Sequence, residues 1–202
     1  SSLILFASYN YMAAGLASTI LFVYPVMVAV IMAAFFKEKL TPVTTFSIIL
    51  SLIGIALLHK SEDGHAISIS GVVLVLLSAL SYAVYIVGVN KSRLKDLSTE
   101  KLTLYVILFG LSVFFVRLKF GINLQPLQSV SARAYALTIA ILPTVISLIC
   151  TAKAIHYVGA TPTAILGALE PVTAVFFGTV IFHEPLTARL ILGVVVIIAA
   201  VT

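Results

Sequence analysis

The stretch LFVYPVMVAVIMAAFFKEKLT at positions 21–41 returns in altered form as GALEPVTAVFFGTVIFHEPLT at positions 167–187, at a constant offset of 146 residues. Matches between apolar residues are expected by chance in so hydrophobic a chain. A proline inside each apolar run, a glutamate thirteen residues later and a Leu-Thr pair after it are not. We infer that the chain contains two copies of one helical unit. The matched pairs include Pro25 with Pro171, Glu38 with Glu184, and Thr41 with Thr187.

The composition around this repeat excludes a soluble globular protein. Of 202 residues, 61% are hydrophobic and 9% are charged, and the mean hydropathy is +1.21, whereas a soluble domain carries about a quarter charged residues. The net charge of +5 comes from basic residues in short segments between apolar runs. Such flanking charge sets orientation in a membrane, and nothing resembles the basic footprint of a nucleic-acid-binding domain. We predict an all-α membrane protein with several spans.

Seven apolar segments are predicted as spans, and residues 1–12 look like the end of another helix. Thr41 is placed as the N-cap of the second span, with Pro42 at its first helical position, and Thr187 has the same role before the last. The predicted spans are 16–36, 43–58, 70–90, 102–116, 134–152, 161–182 and 187–202.

The repeat assigns residues 1–66 to the C-terminal part of a first copy and residues 67–202 to a second copy. The second copy has five predicted helices, so we expect at least about 75 further residues and two further helices upstream in the parent protein, which would then have ten. Since five is odd, the two copies enter the membrane in opposite directions. Inverted repeats of this kind are common among secondary transporters.

The basic residues of alternate loops predict which side is cytoplasmic, because Lys and Arg are enriched there. One set of loops is richer in these residues than the other, which places both termini of the full protein inside. The richer set is Lys37, Lys39, Lys91, Arg93, Lys95, Lys101 and Lys153; the poorer is Lys60, Arg117, Lys119, Arg133 and Arg189.

The segment YVGATPTAILGALEPVTAVFFGTVIFHEPLTARLILG (157–193) closely resembles the second repeat of the EamA-domain transporters, members of the drug/metabolite transporter superfamily. AAGLASTILFVYPVMVAVIMAAFFKEKLT (13–41) resembles the first repeat, with Tyr24 standing where the second copy has Glu170. The resemblance implies a ten-helix inner-membrane carrier with two inverted five-helix repeats, a central cavity and alternating access. Members move amino acids, nucleosides, sugar phosphates, drugs and other metabolites, often outward.

Glu170 is the first candidate for substrate binding. A carboxylate in mid-span costs at least about 2–3 kcal/mol on insertion scales, so it should face a cavity or a partner. It could bind a cationic or amino group or exchange a proton, or it could be a structural acid bonded to a neighbouring helix. Tyr24, its counterpart, is a second candidate. Pro25 and Pro171 are predicted to kink their helices, as structural features or as hinges.

A polar stripe on the span 70–90 is also predicted to line the cavity, because its members share one helical face in an otherwise apolar segment. Helix–helix hydrogen bonding is the alternative. The stripe consists of Ser78, Ser81, Tyr82 and Tyr85, and Thr144 and Ser147 form a weaker pair on the span 134–152. Glu38 and Glu184 are predicted to be structural, pairing with Lys39 or Arg189 or holding the following turn.

These features predict a gradient-driven secondary transporter, an exporter of small metabolites, amino acids or drugs. Its expected partners are a small molecule and the lipid bilayer, with protons as the candidate coupling ion. No zinc-protease, nucleophile-elbow or Walker A motif is present in the sequence, so we expect neither catalysis nor a cofactor or metal. An intramembrane enzyme acting on lipid-like substrates is the alternative. It would need a catalytic dyad or a metal site facing the bilayer.

Overall fold

The computed structural model describes residues 1–12, 14–58, 68–120, 129–183 and 187–201, and within these ranges the regular structure is helical, with no strand. The α-helices are α1 (Ser2–Ser8), α2 (Ala14–Leu21), α3 (Tyr24–Phe36), α4 (Pro42–Leu58), α5 (Ile69–Lys91), α6 (Thr99–Arg117), α7 (Val130–Ile139), α8 (Ser147–Val158), α9 (Ala160–Leu166), α10 (Leu169–Phe182) and α11 (Ala188–Val201). A 3-10 helix (Arg93–Asp96) precedes α6, and a π-helix (Ala140–Ile146) joins α7 to α8.

The predicted all-α membrane architecture is confirmed. Among the described residues, 5 helical stretches are long and apolar enough to cross a membrane, and α4 and α11 are shorter apolar helices. The span predicted at 134–152 is longer in the structure, because α7, the π-helix and α8 follow one another without a gap. The 5 stretches are Leu16–Phe36, Ile69–Lys91, Thr99–Arg117, Val130–Val158 and Ala160–Ile181.

Threonine side chains cap the N-termini of α4 and α11, as the sequence predicts. The Thr41 hydroxyl oxygen accepts a hydrogen bond from the backbone N–H of Thr44 at 3.1 Å, and Pro42 is the first residue of α4. The Thr187 hydroxyl oxygen accepts from the N–H of Leu190 at 3.3 Å. Each cap satisfies one of the backbone N–H groups that the first turn of a helix leaves unpaired.

The described chain divides into two compact units, the first comprising Ser1–Val87 with Ala160–Thr202 and the second comprising Gly88–Gly159. In the first unit, small side chains allow close packing of helices. Ala160, Ala164 and Ala168 recur every fourth residue and are at most 1% exposed. In a bilayer, where the hydrophobic effect does not drive helices together, such small residues let backbones approach and gain dispersion energy. The helix α9 packs against α3.

The helices α4 and α11 form the closest-packed pair of the first unit. A Cβ atom built on Gly54 would lie 2.5 Å from Ile197 Cγ1 and 3.1 Å from the carbonyl oxygen of Gly193. Any larger residue at position 54 would therefore push the two helices apart, and only glycine fits. Arg189 of α11 also bonds to α4, because its guanidinium donates a hydrogen bond to the carbonyl oxygen of Ala56 at 3.2 Å.

Both repeat copies contain an interrupted helix at the matched position. The helix α2 ends at Leu21 and α3 begins at Tyr24, whereas α9 ends at Leu166 and α10 begins at Leu169. Each break is a tight turn closed by an i→i−3 hydrogen bond, from Val23 N–H to the carbonyl of Ile20 and from Ala168 N–H to that of Ile165.

The two interrupted helices also end alike. Lys37 follows α3 and His183 follows α10, at the same offset of 146, and both have φ of 54°. Few residues other than glycine adopt this left-handed conformation, so its occurrence at equivalent positions shows that the two copies share local backbone structure as well as sequence.

In the second unit, Pro143 lies inside the π-helix. Proline has no N–H, so it could not pair with the carbonyl of Ile139 as residue i+4 does in an α-helix, whereas the wider π turn pairs that carbonyl with the N–H of residue 144. The Thr144 hydroxyl donates to that carbonyl at 3.2 Å. The wide turn and the threonine together accommodate a proline that would otherwise break the span.

Large apolar side chains of α6 and α7 point away from the protein, for example Phe109 at 72% exposed and Leu137 at 63%. Such faces would be unfavourable in water, but a bilayer is a suitable solvent for them. They give the second unit the surface of a membrane protein.

Candidate functional site

The strongest candidate site lies in the first unit, where the two helix breaks meet a pair of tyrosines from α5. Tyr24 is the first residue of α3, Glu170 is the second residue of α10, and Gly167 lies in the break before α10. Tyr82 and Tyr85 are one turn apart on α5. We call these five residues the Tyr–Glu cluster.

The rings of the Tyr–Glu cluster make a continuous aromatic group. Tyr24 is only 3% exposed, and its ring centroid lies 4.8 Å from that of Tyr82 at an interplanar angle of 73°. This edge-to-face arrangement is favourable because the positive edge of one ring meets the negative face of the other. Tyr82 stacks on Tyr85 at 6.1 Å and 17°, and both rings are partly exposed.

Gly167 makes room for the Tyr24 hydroxyl. A Cβ atom built on Gly167 would overlap this oxygen and would lie 3.1 Å from Tyr24 Cζ. The equivalent position in the first copy is Leu21. The glycine therefore belongs to a contact that only the second copy provides, and it holds the start of α3 against the break between α9 and α10.

The Glu170 side chain is exposed in the described structure. Glu170 follows Gly167, the residue that contacts the Tyr24 hydroxyl, by three positions, about one helical turn. Its place in the first turn of α10 favours a negative charge, because the helix dipole is positive at that end. A carboxylate beside aromatic faces is an arrangement that attracts ammonium and guanidinium groups.

The structure divides the predicted polar stripe of α5. Tyr82 and Tyr85 belong to the Tyr–Glu cluster, but Ser78 is 1% exposed and donates to the carbonyl of Ser1 at 2.9 Å. Ser81 is exposed and donates to the carbonyl of Leu77 in its own helix at 2.8 Å. Of the four side chains, only the two tyrosines are brought to the cluster.

The two prolines lie in the first turn of a helix, where sequence reasoning expected a kink in mid-helix. Pro25 follows Tyr24 directly in α3, and Pro171 is the third residue of α10. A proline at the start of a helix removes an N–H that would have no partner there. Both prolines therefore mark where the second half of each interrupted helix begins, and their hinge role stays a prediction.

Glu38 has a partner that the sequence did not indicate. Its Oε1 accepts a hydrogen bond from the Thr161 hydroxyl of α9 at 3.0 Å, so the turn after α3 is tied to the second copy. Arg189 donates to the carbonyl of Ala56, and its predicted pairing with an acidic residue stays a prediction. Glu184 lies outside the described residues.

Thr144 and Ser147 belong to the second unit. The Thr144 hydroxyl donates a hydrogen bond to the Ile139 carbonyl, as described above, and Ser147 is exposed. Their predicted contribution to a cavity stays a prediction. Among the described residues, no group of three or more His, Cys, Asp or Glu side chains is arranged to hold a metal ion.

Gly167 and Thr161 are the site residues that sequence reasoning missed. A signal for Gly167 was present, because a glycine three residues before a mid-span Glu-Pro pair indicates a close backbone approach. For Thr161 there was none, since its partner lies 123 residues away in the chain.

Known proteins resemble this chain in sequence and in fold. A transporter of Archaeoglobus fulgidus named "Uncharacterized transporter" is 24% identical over 192 residues, which cover 91% of this chain and 64% of that protein. The "Uncharacterized transporter YvbV" of Bacillus subtilis is 26% identical over 201 residues, 95% of this chain and 63% of that protein. The chain thus spans just under two thirds of these relatives.

A solved crystal structure matches the fold with a TM-score of 0.82 at 15% identity, over 98% of this chain and 69% of the other. The model of the EamA-like transporter family matches residues 1–59 and 69–202. With its helices, repeat and sequence in agreement, the chain belongs to the EamA-like transporter family.

Proposed function

We propose that the full-length protein is a secondary transporter that exports small metabolites, amino acids or drugs across the cytoplasmic membrane by alternating access, driven by an ion gradient. The observation that carries the proposal is the pair of helix breaks at matched positions, with the Tyr–Glu cluster beside them. Interrupted helices at corresponding positions in two repeats are a characteristic of transporter binding sites, because the broken backbone offers polar groups in mid-membrane.

The chemistry of the cluster favours a substrate with a positively charged or amino group. Glu170 supplies a negative charge, and the partly exposed rings of Tyr82 and Tyr85 supply π faces and hydroxyl groups. Aromatic faces attract cations by about 0.5–2 kcal/mol, more when water is excluded. The same carboxylate could exchange a proton when the substrate leaves, which would couple transport to a proton gradient.

The repeat supports a parent protein of ten helices in two inverted sets of five. The matched threonine caps, helix breaks and left-handed residues recur at the offset of 146 residues. The relatives are longer than this chain by about the length that two further helices and part of a third require. The excess of Lys and Arg in alternate loops favours cytoplasmic termini.

The proposal is tested first by finding a substrate. Cells with and without the gene are screened for uptake and efflux of amino acids, nucleosides and toxic analogues. The full-length protein is then placed in proteoliposomes and transport of the best substrate is compared with that of Glu170→Gln. We expect a fall of about tenfold, or a flattened pH dependence, because a charged hydrogen-bonding partner is lost.

Asp96→Asn is the matched control, since it also neutralises one carboxylate but lies in the 3-10 helix of the second unit. Unchanged transport and an unchanged pH profile in Glu170→Gln would remove Glu170 from the mechanism. Hydrolysis or modification of a lipid by the purified protein, with no solute movement, would favour the intramembrane enzyme.

A further inference from the structure

A cavity of about 450 Å³ lies entirely within the second unit. It is bounded by the end of α5, the segment that carries the 3-10 helix, the start of α6 and the end of α8. Sites for small ligands have volumes of about 300–1,000 Å³, so the space is large enough for one. The Tyr–Glu cluster contributes none of its lining, and the proposed transport reaction does not use it.

The lining of this cavity is amphipathic. Its apolar part includes Val89, Leu102, Ala152 and Ile155, which are all buried, at 5% exposed or less. Its polar part is drawn mainly from the ends of the helices and consists of Asn90, Ser98, Thr99, Glu100, Lys153, His156 and Tyr157. A site with an apolar floor and a polar rim suits an amphipathic ligand.

The rim carries one negative and one positive side chain that are free to bind something else. Glu100 and Lys153 are both exposed, and neither has a hydrogen bond or an ion pair within the described part of the chain. Asn90 is held in place, since its side-chain nitrogen donates to the carbonyl of Ile155 at 3.4 Å. The cavity thus presents a carboxylate, an ammonium group and hydroxyls that the described residues leave unpaired.

The position of the cavity is that of the lipid headgroups. Ile69–Lys91 and Thr99–Arg117 are long and apolar enough to cross a membrane, and the cavity lies where the first ends and the second begins. The polar zone of a bilayer begins where the apolar length of such helices ends. The ligands most concentrated at this level are phospholipids.

We propose that this cavity binds the headgroup of a zwitterionic phospholipid that carries a primary ammonium group and a phosphate, as in phosphatidylethanolamine. Lys153, with the hydroxyls of Ser98 and Thr99, binds the phosphate, and Glu100 binds the ammonium. The apolar floor receives the glycerol and the first methylenes of the acyl chains. A purely anionic lipid fits less well, because Glu100 would repel its headgroup.

The test uses the purified full-length protein in detergent and native mass spectrometry, with phosphatidylethanolamine or phosphatidylglycerol added at equal concentrations. We expect tighter binding of phosphatidylethanolamine. Lys153→Ala should weaken binding of both lipids by about tenfold, because a charged hydrogen bond to phosphate is lost. Glu100→Gln should abolish the preference between the two lipids while leaving phosphatidylglycerol binding intact or stronger.

Lys101→Ala is the control, since it removes an exposed cation next to Glu100 that does not line the cavity. Equal binding of the two lipids by the unmodified protein would overturn the proposal, as would equal losses in Lys101→Ala and Lys153→Ala. Displacement of the lipid by an equal concentration of soluble glycerophosphoethanolamine would overturn the assignment to a lipid and indicate a free zwitterion. Each result is read without transport, so it is independent of the proposed function.

Discussion

Gly167→Ala tests the contact on which the Tyr–Glu cluster is built. The added methyl group would overlap the Tyr24 hydroxyl and would lie 3.1 Å from the carbonyl oxygen of Ala164. The Tyr24 side chain has little room to move, because it is 3% exposed and its ring centroid lies 4.8 Å from that of Tyr82. The contact must therefore be relieved by moving α3 away from the break.

The change in the free energy of unfolding caused by Gly167→Ala is the sum of two opposing effects. Overpacking of a well-packed site costs about 1–3 kcal/mol. Replacement of glycine by alanine returns about 0.4–1 kcal/mol by restricting the unfolded chain, since Gly167 does not have a positive φ. We expect a net loss in the free energy of unfolding of about 1–2 kcal/mol.

The assay is equilibrium unfolding of the full-length protein in mixed detergent and SDS micelles, read as a double-mutant cycle with Tyr24→Phe. Removing the hydroxyl leaves the 3.1 Å approaches of Cζ and of the Ala164 carbonyl oxygen, so the double variant should recover at least half of the loss. Gly110→Ala is the control, because a Cβ there meets nothing within 4 Å. A fully stable Gly167→Ala variant, or no coupling to Tyr24→Phe, would refute the described contact.

Two further predictions concern the α4–α11 contact of the first unit and the π-helix of the second. Gly54→Ala should lower the free energy of unfolding by about 1–3 kcal/mol, because the methyl group enters the α4–α11 contact, and stability equal to that of Gly110→Ala in the same assay would contradict this packing. Thr144→Val should cost only about 0.5 kcal/mol, because the π turn keeps the backbone N–H of residue 144 on the Ile139 carbonyl. Thr138→Val should cost about as much, because the hydroxyl of Thr138 likewise bonds a carbonyl that a backbone N–H already satisfies; a clearly larger loss in Thr144→Val would show that the π-helix depends on the threonine hydroxyl.

The sequence predicted the helices well because they depend on local signals. Apolar length determines what can span a bilayer, and Thr41 and Thr187 cap helices through bonds to residues three positions away. The breaks before Tyr24 and Glu170 were read as kinks, because proline both bends a helix and begins one. Only the surrounding turn distinguishes the two cases.

The candidate site was predicted less completely, since its contacts join distant parts of the chain. Helical periodicity placed Ser78, Ser81, Tyr82 and Tyr85 on one face but could not show that Ser78 faces α1 while Ser81 is exposed. The hydrogen bond from Thr161 to Glu38 and the contact of Gly167 with Tyr24 have no local counterpart. Such pairs follow from tertiary packing, which hydrophobic pattern does not encode.

The helix breaks also constrain how the chain enters the membrane during synthesis. The helix α2 has 8 residues and α9 has 7, so at 1.5 Å per residue each extends only about 10–12 Å and cannot cross a hydrocarbon core of about 30 Å. Each needs the 13 or 14 residues of α3 or α10 to complete a crossing. We therefore expect each interrupted pair to insert as one segment. Because lipid cannot satisfy the backbone groups at a break, the broken side of each pair must meet protein or water before the segment is fully released into the bilayer.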